Sequence, residues 1–232
     1  TVYANPSAKS RIEFHKKLST KFQGVWVMSD DEDASKTNLI NSQAPKWQAS
    51  GVEWTKEGAK FSASSSSKLT LENFPITDWS PGLTWLLRLK RIVGKTQFFI
   101  NNYACTNDNN AGHLVEYPSA RDLMWDSGKT HTNRQRFTAQ TLLTDDPNEF
   151  MNIGITAVPV NNEYTMYYNG EFVTSVIHES VSSLGFAKDL DCFIVGQNKN
   201  GRFKLTGTVR IIGIANYSMT LNEINSFFDS LV

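Results

Sequence analysis

The residues with the richest chemistry in this 232-residue chain fall between Asn101 and Asn133. Tyr103, Asn107, Asp108, Asn110, His113, Arg121, Trp125 and His131 combine aromatic faces, which suit the apolar side of a sugar ring, with groups that hydrogen-bond its hydroxyls. Trp125 stands before Asp126-Ser127-Gly128, which reads as a turn, so it is the residue expected to stack in the open. A core position is the alternative for a Trp that follows Leu123-Met124. Hard cations want carboxylate and amide oxygens. Asn107-Asp108-Asn109-Asn110 supplies several, and Asp108 and Asn110 are the candidate calcium ligands. Asp30-Asp31-Glu32-Asp33 and Asp145-Asp146 offer others. None forms a complete loop pattern, and Asn and Asp also serve turns through local backbone hydrogen bonds.

Catalysis asks for more than this. Retaining glycosidases hold two carboxyl groups about 5 Å apart. The run Asp30–Asp33 does not alternate, and Asp145-Asp146-Pro147-Asn148-Glu149 is broken by proline. Glu116 and Asp122 fall on neighbouring strands of an expected hairpin, with nothing to mark them as a pair. No Gly-x-Ser-x-Gly, His-Glu-x-x-His or phosphate-binding glycine loop occurs. The four histidines (15, 113, 131 and 178) are scattered, and Cys105 and Cys192 form no paired CxxC, which argues against a metal centre built on Cys and His. The chain reads as non-enzymatic and in need of no cofactor, with calcium as the cation to test. Two buried thiols are the favoured reading of Cys105 and Cys192, and one long-range disulfide is the alternative.

The elements that must hold these residues are strands. Gly24–Met28, Gly51–Trp54, Ala59–Ser62, Lys68–Leu71, Leu83–Ile92 and Gln97–Ile100 read as sheet, with a turn at Lys56-Glu57-Gly58 and another over the serines 64–67. Asp30–Ser35 reads as an acidic loop. His113–Tyr117 and Arg121–Trp125 form a hairpin within an otherwise irregular span. Met151–Val158 is a strand. Glu163–Tyr168 and Glu171–Val176 flank Asn169-Gly170, whose two positive-φ positions make a type I′ turn. Cys192–Val195 and Gly207–Ile214 follow, and then a helix opened by the capping box Thr220-Leu221-Asn222-Glu223.

Hydrophobic residues make up 40%, enough for a sizeable core, and Lys+Arg and Asp+Glu are equal at 23 each. That balance gives no basis for nucleic-acid binding, and no apolar run approaches the roughly 18 residues of a bilayer span. Residues 1–20 read as a polar N-terminal arm suited to docking on neighbouring subunits, and residues 21–232 as one domain.

The order of pieces resembles the concanavalin A-like lectin/glucanase superfamily, specifically its laminin-G-like members. The resemblance runs through Gly24-Val25-Trp26, Gly58-Ala59-Lys60-Phe61, Lys68-Leu69-Thr70-Leu71 and Leu83-Thr84-Trp85. It continues through Tyr167-Tyr168-Asn169-Gly170 and the ending Gly207-Thr208-Val209-Arg210-Ile211-Ile212 to Thr220-Leu221-Asn222-Glu223-Ile224. It implies an all-β jelly-roll sandwich of two antiparallel sheets with a short C-terminal helix. The glucanase branch carries Glu-x-Asp-x-x-Glu on one strand, and no such run exists here. The resemblance therefore implies a non-catalytic carbohydrate-binding or adhesion module, extracellular, on a cell surface or in a virus particle, whose partner is a glycan or a surface protein. Two rival readings stand beside it: a structural decoration or assembly protein of a virion or other particle, and a glycoside hydrolase, which the missing motif disfavours.

Overall fold

Fifteen strands form two antiparallel sheets in the computed structural model, which describes residues 22–74, 81–92, 95–103, 110–117, 122–128, 134–140, 142–144, 146–161, 163–177 and 192–231. The arm expected over residues 1–20 lies outside the described residues. In chain order the strands are β1 (Phe22–Val27), β2 (Gln48–Ser50), β3 (Glu53–Thr55), β4 (Gly58–Phe61), β5 (Lys68–Leu71), β6 (Leu83–Arg91), β7 (Gln97–Tyr103) and β8 (Asn110–Tyr117). They continue with β9 (Asp122–Gly128), β10 (Arg134–Ala139), β11 (Met151–Val158), β12 (Glu163–Tyr168), β13 (Glu171–Ile177), β14 (Cys192–Val195) and β15 (Gly207–Ala215). One sheet has eight strands in the order β13-β12-β11-β6-β15-β4-β3, with β1 also beside β15. The other has seven, in the order β10-β9-β8-β7-β14-β5-β2.

Local sequence explains most of these pieces. Asn169 (φ 46°) and Gly170 (φ 85°) sit in the left-handed region that a type I′ turn demands, and the backbone N–H of Asn152 donates to Asn169 Oδ1 at 2.8 Å. Helix α2 (Leu221–Asp229) has the complete capping box: Glu223 N–H donates to Thr220 Oγ1, and Thr220 N–H donates to Glu223 Oε2. Three expectations change. The segment read as an acidic loop folds into the short helix α1 (Glu32–Lys36), because Asp31 caps the amide of Ala34 and Glu32 pairs with Lys36 one turn on. Asp126-Ser127-Gly128 is no turn but the end of β9, paired residue by residue with β10. Strands β2 and β10 were not legible as strands; β2 is three residues long.

The core lies between the sheets and is built on Trp26, Trp47, Trp85, Trp125, Phe61 and Phe193. A second apolar layer covers the outer face of the eight-stranded sheet, where Ile224, Phe227 and Phe228 of α2 meet Val25, Leu86 and Ile211. Gly213 makes this docking feasible: a Cβ there would come within 2.8 Å of the Phe227 ring. Gly207 serves the same purpose against β6, since its Cβ would stand 2.1 Å from the carbonyl of Lys90.

Strand β15 forks. Along one side it follows β6, while on the other it pairs first with β4 (Gly207–Val209) and then with β1 (Ile211–Ala215). A register shift between Val209 and Ile211 marks the changeover. Arg210, at that shift, donates from Nη1 to the carbonyls of Met28 and Lys56, which ties the end of β1 to the β3–β4 turn.

Candidate functional site

Strand alternation divides the seven-stranded sheet into two rows one residue apart. Ala49, Leu69, Val195, Ile100, Leu114, Trp125 and Phe137 stand opposite one another across the strands, and Leu69, Val195, Ile100, Leu114 and Trp125 are buried in the core. The next row is Gln48, Thr70, Ile194, Asn101, His113, Asp126 and Arg136. It is out of phase with the core, and all but Ile194 are polar or charged. The row places an Asn, a His, an Asp and an Arg at neighbouring register positions, one strand (about 4.8 Å) apart. That is donor and acceptor chemistry for a polyhydroxylated ligand.

Of the residues singled out from sequence, the structure brings three onto this scaffold. His113 occupies the polar row between Asn101 and Asp126. Tyr103 and Asn110 face each other where β7 and β8 end and begin, and Tyr103 also pairs with Cys192. Asn107, Asp108, Arg121 and His131 lie outside the described residues. Tyr117 and Asp122 pair at the opposite end of the sheet from Tyr103 and Asn110. The calcium ligands Asp108 and Asn110 remain an expectation. Among the described residues no group of three or more His, Cys, Asp or Glu side chains could hold a metal.

Trp125 is not the exposed stacker that its sequence neighbours suggested. It is 2% exposed, packs edge-on against Trp85 with ring centroids 4.7 Å apart, and lies 6.1 Å from Tyr164. The reason is parity: Trp125 alternates with Asp126 and shares its face with Leu123, so β9 carries it inward.

The centre of the polar row is itself buried. Asn101 donates from Nδ2 to the carbonyls of Ile194 (3.1 Å) and Gln197 (2.9 Å), and Cys192 with Ile194 forms a small apolar island apart from the main core. Cys192 is disulfide-bonded, and the chain's one other cysteine is Cys105. The disulfide replaces the buried thiol expected at Cys192, a distinction strand text could not make because both readings place Cys192 in the interior.

Carboxylates are disposed against pairing. Glu116 opposes Leu123 and is fully buried, whereas Asp122 opposes Tyr117 one register position away, on the other face of the sheet. Glu116 is committed to an ion pair that crosses between the sheets: Arg91 Nε of β6 donates to its Oε2 at 2.8 Å, and Gln97 Nε2 donates to the same atom at 3.2 Å. Arg91 Nη1 also donates to the Thr144 carbonyl. Burial pushes the Glu116 carboxyl above the usual carboxylate range, against the opposing pull of the Arg91 guanidinium and the Gln97 amide. Sequence reasoning missed this pair, because Arg91 and Glu116 lie on strands of different sheets.

No family model and no curated protein matches the chain. Solved structures share its fold. The CBM40 of a Ruminococcus gnavus IT-sialidase, bound to α2,3-sialyllactose, aligns with a TM-score of 0.53 at 13% identity over 63% of this chain and 82% of that one. The binding domain of botulinum neurotoxin serotype D/C aligns with a TM-score of 0.68 at 12% identity over 93% of this chain and 53% of that one. The binding domain of botulinum neurotoxin DC, in complex with rat synaptotagmin II, gives 0.66 at 12% identity over 90% and 52%. This chain therefore spans about half the length of those toxin domains. At such identities the likeness is one of fold. It places the chain among all-β jelly-roll sandwiches found in carbohydrate-binding modules and toxin binding domains.

Proposed function

We propose that this chain is a non-catalytic binding module of the concanavalin A-like, laminin-G-like type that recognises a glycan or a protein surface. The observation that carries the reading is the polar row of the seven-stranded sheet, where His113 stands in register with Asn101, Asp126 and Arg136. Groups at adjacent strand positions on a rigid sheet are pre-ordered, which lowers the entropic cost of holding several sugar hydroxyls at once. Neighbours that bind sialyllactose and synaptotagmin on the same fold support the choice of partner class. Commitment of Glu116 to Arg91 and Gln97 supports a non-enzymatic reading.

The disulfide at Cys192 favours an oxidising setting, which supports a place outside a cell, on a cell surface or in a virus particle; we propose further that residues 1–20 dock on neighbouring subunits, and that no cofactor is required, with Asp108 and Asn110 as the candidate ligands should calcium bind. Among the described residues no helix is long and apolar enough to cross a membrane.

A glycan array probed with and without calcium tests the proposal. Binding is expected, and it should fall at least tenfold in His113→Ala and Arg136→Ala variants of unchanged melting temperature. An array without hits, together with an obligate oligomer in gel filtration, would favour the rival reading of a structural block in a particle. Release of reducing sugar that one Glu or Asp substitution abolishes would overturn the non-catalytic reading.

A further inference from the structure

At the other end of β7 from Tyr103, three loops meet around one exposed aromatic ring. Phe203 lies between β14 and β15 with φ 54°, a left-handed backbone that an aromatic side chain rarely adopts. The other described non-glycine residues at positive φ are Ser66, Asn73 and Asn169, and both asparagines are of a type that tolerates it. The surroundings enforce the conformation of Phe203. Its carbonyl accepts from Phe98 N–H at 2.9 Å. The preceding turn is closed by Asn198, whose N–H donates to the Arg202 carbonyl and whose Oδ1 accepts from Arg202 N–H at 2.7 Å.

The outcome is a ring displayed rather than hidden. Phe203 stacks on Phe98 with centroids 5.6 Å apart and an interplanar angle of 18°, yet remains 47% exposed. A parallel stack covers one face and leaves the other open. Arg202 and Lys204 flank it, and the Lys204 ammonium reaches Ser66 Oγ at 2.7 Å in the β4–β5 turn. The β6–β7 loop joins the same rim through Ile92 N–H, which donates to the Thr206 carbonyl, and it adds the exposed Lys95. None of the three loops contains an acidic residue; from Cys192 to Asn222 there is no Asp or Glu at all.

We propose that this rim binds an acidic carbohydrate, with a pyranose ring on the open face of Phe203 and its carboxylate or sulfate on Arg202 and Lys204. A flat aromatic face matches the C–H side of a sugar ring, and guanidinium and ammonium donors pair with its anionic group through charge-assisted bonds. A membrane is the poorer occupant, because insertion needs a projecting apolar tip and Phe203 is held flat against Phe98. This surface is separate from the polar row of the seven-stranded sheet and does not depend on it.

Isothermal titration of the full chain with a heparin-derived hexasaccharide, uncharged cellohexaose, and phosphatidylserine/phosphatidylcholine vesicles decides the matter. The hexasaccharide is expected to bind and the cellohexaose to bind at least tenfold more weakly. Phe203→Gly and Phe203→Asn, which both accept the left-handed backbone, should each lose at least tenfold while keeping or raising the melting temperature. An Arg202→Ala/Lys204→Ala double variant should lose as much and flatten the salt dependence. Equal affinity of the Phe203 variants and the parent, absence of hexasaccharide binding, equal binding of cellohexaose, or binding to vesicles alone would each overturn the proposal.

Discussion

The two sheets use their faces in opposite ways. The eight-stranded sheet is covered on both sides at its centre, with one face of β6 and β15 in the tryptophan core and the other under α2, while its edge strand β13 stays largely exposed. The seven-stranded sheet gives one face to the core and carries a polar register row out of phase with it, interrupted at Ile194. Burial on both faces at the centre of one sheet leaves few positions there for recognition, whereas the other sheet keeps a polar register row whose centre, at Asn101 and Ile194, is itself buried. The difference follows from sequence at the level of single residues: Gly213 and Gly154 leave room on one sheet for a helix, while Asn101, His113 and Asp126 share one register row of the other, out of phase with its core row.

The sharpest way to break this division is at the contact between the sheets. Glu116→Ala would leave the Arg91 guanidinium buried without its carboxylate and should cost about 3–5 kcal/mol in denaturant unfolding. Glu116→Gln, which keeps hydrogen-bonding atoms, should cost less. If Glu116→Ala proved neutral, the ion pair would not be what joins the sheets here.

Next in size is the helix-covered face. Gly213→Ala must displace the Phe227 ring and should destabilise by about 1–3 kcal/mol, whereas Gln48→Ala, exposed in the polar row of the other sheet, should stay within about 0.5 kcal/mol. Equal effects of the two would erase the distinction between the sheets.

The smallest effect belongs to Tyr217, which packs at the edge of the helix layer. Burial, together with the charge and hydrogen bond of Glu223, pushes its phenol up to about 12 from the ordinary 10.0. The native state thus holds this proton more tightly than the unfolded chain. Its stabilisation is complete below pH 10.0 and lost as pH rises through about 12. A melting series in that window should decline less steeply for Tyr217→Phe.

What sequence revealed was what short stretches decide alone. The Asn169-Gly170 turn and the Thr220/Glu223 box each carry their whole explanation within a few residues, and both are present as read. Helix α1 was legible in principle through Asp31, Ala34 and the Glu32–Lys36 pair, but five residues rich in acid also look like a loop. Trp125 was misplaced because its orientation depends on where β9 ends, and β9 runs through the residues that resembled a turn. The Arg91–Glu116 pair joins positions on different strands and the disulfide at Cys192 has no neighbouring cysteine in sequence, so no local pattern announces them. The polar row is the same kind of fact. His113 was identified by type, but its neighbours Asn101, Asp126 and Arg136 emerge only from the pairing of four strands.

The fork in β15 bears on how this molecule reaches its native state. β1 and β4 both rest on β15, and the bond from Arg210 to Met28 spans 182 residues. Early strands therefore wait as unpaired edges until a segment far along the chain arrives, and closing so large a loop costs entropy before any contact repays it. Folding should be slow, in the millisecond-to-second range or beyond, with a transition state that forms only once β15 has engaged β6. The same wait leaves partly folded chains prone to pairing with one another, so refolding yield should fall as protein concentration rises.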